Sequence, residues 1–273
     1  KEKGMKKDRE RKRQEILQRI RGFRLMDDEF MTKCFEENTE CTELVLRIVM
    51  DKDDLRVKSA RTQYTLKNLQ GRSVRLDILA DDSMDRKYNI EVEKSQKGAG
   101  SKRARYNSSL MDANAILPGD DVELLPENYV IFITEEDIFG TGMPVYHIDR
   151  VVEETGMPFG DASHIMYVNG AYRGDDPLGR LMHDFSCTDA DDMNYGKLSD
   201  RVRYFKETEE GVKAMSKAME ELAKKWAEEE IQERNEEVAL ELFRMGITDC
   251  EKIAKVSKLS IEAVERMAKL QPV

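Results

Sequence analysis

The sequence contains no run of about 18 consecutive apolar residues, the length that a membrane-spanning helix requires. Its first residues also lack the apolar core of a secretory signal. Cysteine is scarce: the four residues, at positions 34, 41, 187 and 250, show no close pairing. This pattern is typical of a reducing compartment and argues against structural zinc. We therefore expect a cytoplasmic protein without a membrane span.

The chain also has few histidines, and its net charge is negative. The three histidines, at positions 147, 164 and 183, lie on separate segments, which favours structural roles for them. The formal net charge of −10 over 273 residues does not suit a protein that coats nucleic acid generally. Any contact with DNA must therefore use local basic patches. The length is sufficient for one well-buried core plus an appendage.

Three acidic residues lie on two neighbouring segments that have the alternating pattern of strands. Asp77 lies in the segment 73–80, and Glu91 and Glu93 lie in the segment 87–94. Successive side chains of a strand point to opposite faces, so these carboxylates are expected on polar faces. The short polar link between the segments predicts a hairpin, which would bring the three carboxylates together.

Converging carboxylates repel one another unless one is protonated or a cation bridges them. Oxygen ligands of this kind suit Mg²⁺ or Mn²⁺, so a metal-dependent phosphodiesterase is one interpretation. The alternative is an ordinary solvent-facing side of a half-exposed sheet, because 37% of the residues are charged.

A basic cluster follows these strands directly. The segment 94–105 has five cationic residues and no anionic one, in a chain that is acidic overall. Two glycines within it let the backbone approach a ligand closely, and a helix is predicted to begin near Ser101. Lys102, Arg103 and Arg105 are candidate phosphate-binding residues, because a helix N-terminus and guanidinium groups both bind phosphate oxygens. A solvated basic helix turn is the alternative.

These motifs are part of a wider resemblance. The chain from about residue 25 to 204 resembles the PD-(D/E)XK nuclease family transposases, the Rpn-like recombination-promoting nucleases. The matching segments occur in family order and cover roughly two thirds of the chain: 27–35, 73–78, 88–92, 102–110, 129–134 and 167–173. The resemblance implies a restriction-endonuclease-like core, a mixed β-sheet flanked by helices, that cleaves DNA with Mg²⁺.

The resemblance also implies roles for individual residues. Asp77 matches the motif aspartate, Glu91 matches the second metal-binding acid, and Asp27 matches the acidic residue of the first helix. The position two residues after the second acid is normally Lys or Gln, but here it is Glu93. That glutamate is expected to act as a base or a further metal ligand, or to mark a lost activity. Lys94 replaces the missing lysine only if a bulge redirects it.

The chain is predicted to have three parts: a basic N-terminal arm over 1–24, a nuclease-like α/β domain over 25–206, and a helical extension over 207–273. The arm is interpreted as a frayed, solvated segment, with DNA contact as the alternative. The predicted elements of the middle part are helices over 27–50, 101–115 and 177–185, and strands over 61–67, 73–80, 87–94, 129–134, 144–148 and 164–168.

The extension is expected to pack an apolar stripe against the core, with a homodimer through these helices as the alternative. The stripe comprises Val212, Met215, Met219, Leu222 and Trp226. After a helix over 235–245, the end has the rhythm of a helix-turn-helix. Glu262 and Glu265 lie where bases would be read, which favours a packing or interaction module.

Taken together, these observations predict a Mg²⁺- or Mn²⁺-dependent DNA endonuclease associated with transposition or recombination. Asp77, Glu91 and Glu93 are its expected catalytic residues, and Asp77, Glu91 and Asp27 its expected metal ligands. The alternative is a catalytically inactive DNA-binding or interaction protein on a decayed nuclease scaffold, which Glu93 supports.

Overall fold

The structure is a computed structural model that describes residues 2–68, 72–95 and 97–269. It has a mixed α/β architecture, in which a six-stranded mixed sheet is flanked by helices. The α/β class predicted from the sequence is thereby confirmed. The chain divides into two compact units, one up to Ser216 and one from Lys217 onward.

The sheet combines antiparallel and parallel strands. In chain order the strands are β1 (Val57–Leu66), β2 (Val74–Asp82), β3 (Lys87–Glu93), β4 (Asn128–Thr134), β5 (Val145–Ile148), β6 (Val151–Val152), β7 (Met157–Pro158) and β8 (Ser163–Asn169). The spatial order of the sheet is β1-β2-β3-β4-β8-β5, and β6 pairs with β7 separately. The first three strands are antiparallel, β4 and β8 run parallel to β3, and β5 is antiparallel to β8.

The helices account for most of the remaining chain. They are α1 (Glu2–Gly22), α2 (Asp28–Phe35), α3 (Thr39–Met50), α4 (Ser101–Ala113), α5 (Pro177–Ser186), α6 (Gly196–Glu207), α7 (Glu209–Arg244), α8 (Cys250–Ser257) and α9 (Ile261–Lys269). Within the residues that the structure describes, no helix is long and apolar enough to cross a membrane.

The central strands are covered on both faces. Phe132 of β4 packs in a cluster with Ala104 of α4, and its neighbour Ile131 is equally buried. Because successive strand residues point to opposite faces, both sides of β4 belong to the core. The polar face predicted for β3 is therefore buried as well, and Asn89 and Glu91 have no exposed surface.

The single helix predicted over 27–50 is two helices, α2 and α3. Glu37, between them, has a φ of 53°, in the left-handed region that interrupts a helix. The Asn38 side chain then accepts a hydrogen bond from the backbone N–H of Cys41 at 3.0 Å. Asparagine is a favoured N-cap residue, so this local signal starts a new helix where periodicity alone predicts continuation.

The segment predicted as a solvated arm over 1–24 is largely the helix α1, whose C-terminal end is anchored. Ile20 is fully buried. The Lys206 ammonium donates hydrogen bonds to the carbonyl oxygens of Arg21 at 2.9 Å and Phe23 at 2.5 Å. The last carbonyls of a helix need such partners, and they in turn satisfy a buried charged group.

The boundary between the two compact units follows Ser216, within α7. Met215, in the part of α7 that precedes the boundary, is fully buried. The division into three parts that the sequence predicts stays a prediction. The side chains of Leu222 and Trp226, in the predicted stripe, lie outside the described part of the structure.

Local caps mark the last helix ends. Gly246 follows α7 with a φ of 81°, and the Ser260 hydroxyl caps α9. The N-cap of α8 is Asp249, whose carboxylate accepts the backbone N–H of Lys252 at 3.1 Å. The separate helix predicted over 235–245 is instead the last part of the continuous α7.

Candidate functional site

Asp77 and Glu91 lie where the pairing of β2 with β3 ends. Regular pairing reaches Ile78 and Ile90. Beyond it, each carboxylate accepts a hydrogen bond from the opposite strand: the Asp77 N–H donates to Glu91 Oε1 at 3.2 Å, and the Val92 N–H donates to Asp77 Oδ2 at 3.1 Å. The side chains thus replace backbone ladder bonds and fix both carboxylates at one point.

Two buried amides orient Glu91. The Asn89 amide donates to Glu91 Oε1 at 2.7 Å, and Asn107 of α4 donates to the Asn89 carbonyl oxygen at 3.1 Å. All three side chains are essentially inaccessible to solvent. A fully satisfied buried network of this kind holds its members in one geometry. Nothing in the sequence points to Asn107, because its spacing from Asn89 carries no signal.

The environment of these two acids disfavours their ionised forms. Burial raises the pKa of Asp77 well above its usual range, and the charges of Glu91 and Asp28 raise it further. Burial also raises the pKa of Glu91, while the Arg103 guanidinium and the Asn89 amide act in the opposite direction. Perturbed carboxyl groups that lie together are frequent at functional sites.

Arg103 reaches into this site from the first turn of α4. Its guanidinium donates to Glu91 Oε2 at 2.5 Å, to Glu93 Oε1, and to the carbonyl oxygen of Gly98 at 2.8 Å. The sequence predicts a phosphate-binding role for Arg103. In the structure it is the internal counter-ion of two glutamates, and both interactions raise its pKa against the opposing effect of burial.

The close approach of Glu93 depends on a glycine. A Cβ atom built on Gly98 would lie 2.0 Å from Glu93 Oε2, which is closer than real contacts allow. From the sequence, a glycine here is expected to let the backbone approach a ligand. The structure shows that the approaching group is the Glu93 carboxylate itself, so a side chain at Gly98 would displace it.

Lys102 and Arg105 differ from Arg103 in orientation. Residues three apart share one side of a helix, and both of these side chains are exposed on α4. No ion pair joins either of them to another residue within the described parts of the chain. Their role in phosphate binding therefore stays a prediction, and their donor groups are accessible to solvent. Arg103 would have to break its ion pairs with Glu91 and Glu93 before it could bind a phosphate.

Asp27 has cationic partners of its own. Its carboxylate forms ion pairs with Arg24 at 3.5 Å and with Lys94. The metal-binding role of Asp27 stays a prediction. The next residue, Asp28, is the acid of α2 that acts on Asp77. Lys94 is directed to Asp27 at the start of α2.

The chemistry of the three predicted catalytic acids suits a hard divalent cation, although within the described residues they do not form a group of three ligand atoms as close together as those of His183, Asp184 and Cys187. Asp77, Glu91 and Glu93 offer carboxylate oxygens, the ligands that Mg²⁺ and Mn²⁺ prefer. Asp77 Oδ1 receives one long hydrogen bond, at 3.5 Å from the Gln63 amide. A cation and Arg103 would both need Glu91 Oε2 and Glu93 Oε1, so binding of the cation requires Arg103 to move.

A second group of potential ligands occurs on α5. His183, Asp184 and Cys187 offer ligand atoms within 4.8 Å of one another. However, the Asp184 carboxylate accepts backbone N–H groups of Asn194 and Tyr195 at 2.7 and 2.8 Å. These bonds anchor the following loop, so we assign Asp184 a structural role and do not treat the group as a metal site.

Comparison of the chain with protein-family models, with curated proteins and with solved structures gave no match. The class of protein that fold and site define together is an α/β protein with a buried carboxylate cluster on adjacent sheet strands. Its function is inferred from the chemistry of these residues.

Proposed function

We propose that the chain is a Mg²⁺- or Mn²⁺-dependent DNA endonuclease of the PD-(D/E)XK type, associated with transposition or recombination. One observation carries this proposal: Asp77 and Glu91 are fixed side by side on adjacent strands, and burial raises both of their pKa values. Such a pair favours a bound cation or a proton over two free charges. The mixed sheet flanked by helices is compatible with a restriction-endonuclease-like core.

The proposed roles follow from position. Asp77 and Glu91 hold the metal, and Glu93 serves as a third ligand or as a base. Lys102 and Arg105, exposed on α4, hold the DNA phosphate, and Arg103 joins them when it leaves the glutamates. The bound metal would activate water and neutralise the charge that develops during cleavage of the P–O bond.

A second candidate function is a non-catalytic DNA-binding or interaction protein on the same scaffold. The observation that favours it is Arg103, which neutralises Glu91 and Glu93 without any metal. A buried ion cluster of this kind can be purely structural, since removal of one partner leaves an unpaired buried charge. In this function, Arg103 would keep its partners permanently. A homodimer through the C-terminal helices stays a prediction in either case.

Plasmid nicking tests the first candidate. Supercoiled plasmid is incubated with the full chain and Mg²⁺ or Mn²⁺, with a chelator, and with the Asp77→Ala variant. We expect metal-dependent nicking that the variant lacks. Equal nicking by the variant would contradict the site assignment. Absence of nicking together with absence of Asp77-dependent metal binding would favour the second candidate.

A further inference from the structure

Gln63 occupies an unusual position opposite Asp77. In the pairing of β1 with β2, Thr62 faces Ile78 and Tyr64 faces Leu76, so Gln63 lies across from Asp77. Its φ of 51° is in the left-handed region. A residue with a side chain adopts that conformation inside a strand only where the surrounding structure holds it.

The Gln63 side chain connects β1, β2 and α2. Its amide nitrogen lies 3.1 Å from Asp28 Oδ1, 3.0 Å from the Thr32 hydroxyl and 3.5 Å from Asp77 Oδ1. Asp28 Oδ1 accepts from the amide at 3.1 Å, so the nitrogen and not the oxygen of the Gln63 amide is assigned to this side. A neutral donor thus stands between two acids from different elements.

This bridge brings a third acid to the site. Asp28 is the first residue of α2, and its charge contributes to the raised pKa of Asp77 after burial and Glu91. A cationic bridge in the same place would neutralise the acids and compete with a metal. An amide fixes their positions and adds no charge of its own.

We propose that Gln63 is a positioning residue that holds Asp28 against Asp77 and thereby shapes the divalent-cation site. The proposal rests on the cation site of the proposed function. It assigns no contact between Gln63 and the metal, since its amide acts through the two carboxylates.

Mn²⁺ binding to the full chain, measured by calorimetry without DNA, tests this role. Gln63→Gly accepts the positive φ and removes the amide, so we expect Mn²⁺ affinity to fall on the order of tenfold while the thermal unfolding midpoint holds. Thr65→Gly, on an exposed position of the same strand, is the matched control and should keep wild-type affinity. An unchanged affinity in Gln63→Gly would overturn the proposal.

A second variant covers the case in which glycine unfolds the strand. Gln63→Glu keeps the shape of the side chain but sets a third carboxylate against Asp28 and Asp77. We expect a lower unfolding midpoint in chelator and a larger stabilisation by Mn²⁺ than in wild type, because a cation relieves the repulsion. A residue with a merely structural role would lose stability equally with and without Mn²⁺, and that result would overturn the proposal.

A double-mutant cycle identifies the route of the effect. If Gln63 acts through Asp28, the losses of Mn²⁺ affinity in Gln63→Gly and Asp28→Asn should be non-additive, whereas independent effects would add. Additive losses would contradict the bridge. The Asp77→Asn variant separates failure of the cation site from failure of the positioning role of Gln63. If wild type does not bind Mn²⁺, or if Asp77→Asn does not weaken the binding, the cation site itself is contradicted. If Mn²⁺ binding depends on Asp77 but is the same in wild type and Gln63→Gly, only the positioning role of Gln63 is contradicted.

Discussion

The hairpin of β2 and β3 carries an acidic pair at each end, and the two pairs are built in opposite ways. At the open end, Asp77 and Glu91 lie against each other, and burial raises both of their pKa values. At the turn end, Asp81 and Asp82 each have their own cationic partner, and the pKa of each is lowered.

The partners at the turn end explain the difference. Asp82 is fully buried, but its carboxylate accepts from Arg86 Nε at 2.7 Å, from the Tyr88 hydroxyl at 2.9 Å and from backbone N–H groups. Asp81 accepts from Lys87 at 2.7 Å. In both residues burial acts to raise the pKa, and these hydrogen bonds outweigh it.

The comparison separates burial from function. A structural carboxylate accepts enough hydrogen bonds to stay ionised, so its charge is neutralised by partners within the fold. Asp77 has a backbone N–H and one long amide contact, while two other acids repel it. Its carboxyl group therefore favours a proton or a bound cation over a free charge, and four variants test that distinction.

The largest expected effect is on cleavage. Glu91→Gln removes a proposed metal ligand with little change of shape, so we expect plasmid nicking to fall about 10³-fold or more, roughly 4 kcal/mol in activation free energy. Asp81→Asn, at the other end of the hairpin, is the matched control and should nick at close to the wild-type rate. Equal losses in both variants would show that the two ends do not differ in function.

The next effect is on stability. Asp82→Asn leaves the Arg86 guanidinium without its carboxylate, and breaking a buried pair in this way costs on the order of 3 kcal/mol. Urea denaturation of the full chain at neutral pH measures the loss. A loss below about 0.5 kcal/mol, the usual range of surface substitutions, would mean that the turn end is not the structural site that its hydrogen bonds indicate.

A smaller effect concerns Arg103, the counter-ion at the open end. Arg103→Gln removes the charge that competes for the oxygens of Glu91 and Glu93, so Mn²⁺ affinity should rise on the order of tenfold, about 1.4 kcal/mol. Arg105→Gln makes the same change of net charge on the exposed side of α4, and its calorimetric affinity should stay near wild type. Weaker Mn²⁺ binding in Arg103→Gln would favour the structural ion cluster of the second candidate function.

At the open end of the hairpin, the sequence predicts the strands that carry the acidic residues, but it does not predict which side chains these residues contact. Alternation places Asp77, Glu91 and Glu93 on strands, because that pattern is local and depends only on the two-residue period. It does not show that α4 covers their face, or that Arg103 turns toward them while Lys102 turns to solvent. Those features depend on packing between segments that are distant in sequence.

Two residues of the candidate site, Gln63 and Asp28, cannot be predicted from hydrophobic periodicity. Gln63 stands in β1 with a φ of 51°, and no strand pattern predicts a left-handed residue there. Asp27 and Asp28 are adjacent in sequence, so the resemblance to a family motif does not decide which of them faces Asp77. The orientation of the first residues of α2 determines which acid faces Asp77. Asp27 pairs with Lys94, whereas Asp28 contacts Gln63.

The smallest expected effect has opposite signs at the two ends of the hairpin. The folded-state pKa of Asp77 is raised, because burial and then Glu91 and Asp28 disfavour its charge. Its stabilising contribution is therefore complete below the unfolded value of about 3.9 and is lost as pH rises through the folded value. Asp77→Asn escapes this loss, so in chelator its stability relative to wild type should increase between acidic and neutral pH.

Asp82→Asn should show the reverse trend, because the pKa of Asp82 is lowered and its contribution is lost as pH falls. The measurement is the free energy of unfolding in urea from pH 4 to pH 8 for wild type and both variants, with chelator and with Mn²⁺. Mn²⁺ should stabilise wild type more as pH rises, because a metal ligand must be deprotonated, and should leave Asp77→Asn unchanged. Parallel pH curves for the two variants would remove the electrostatic difference between the two ends, and with it the physical reason to place a cation at Asp77.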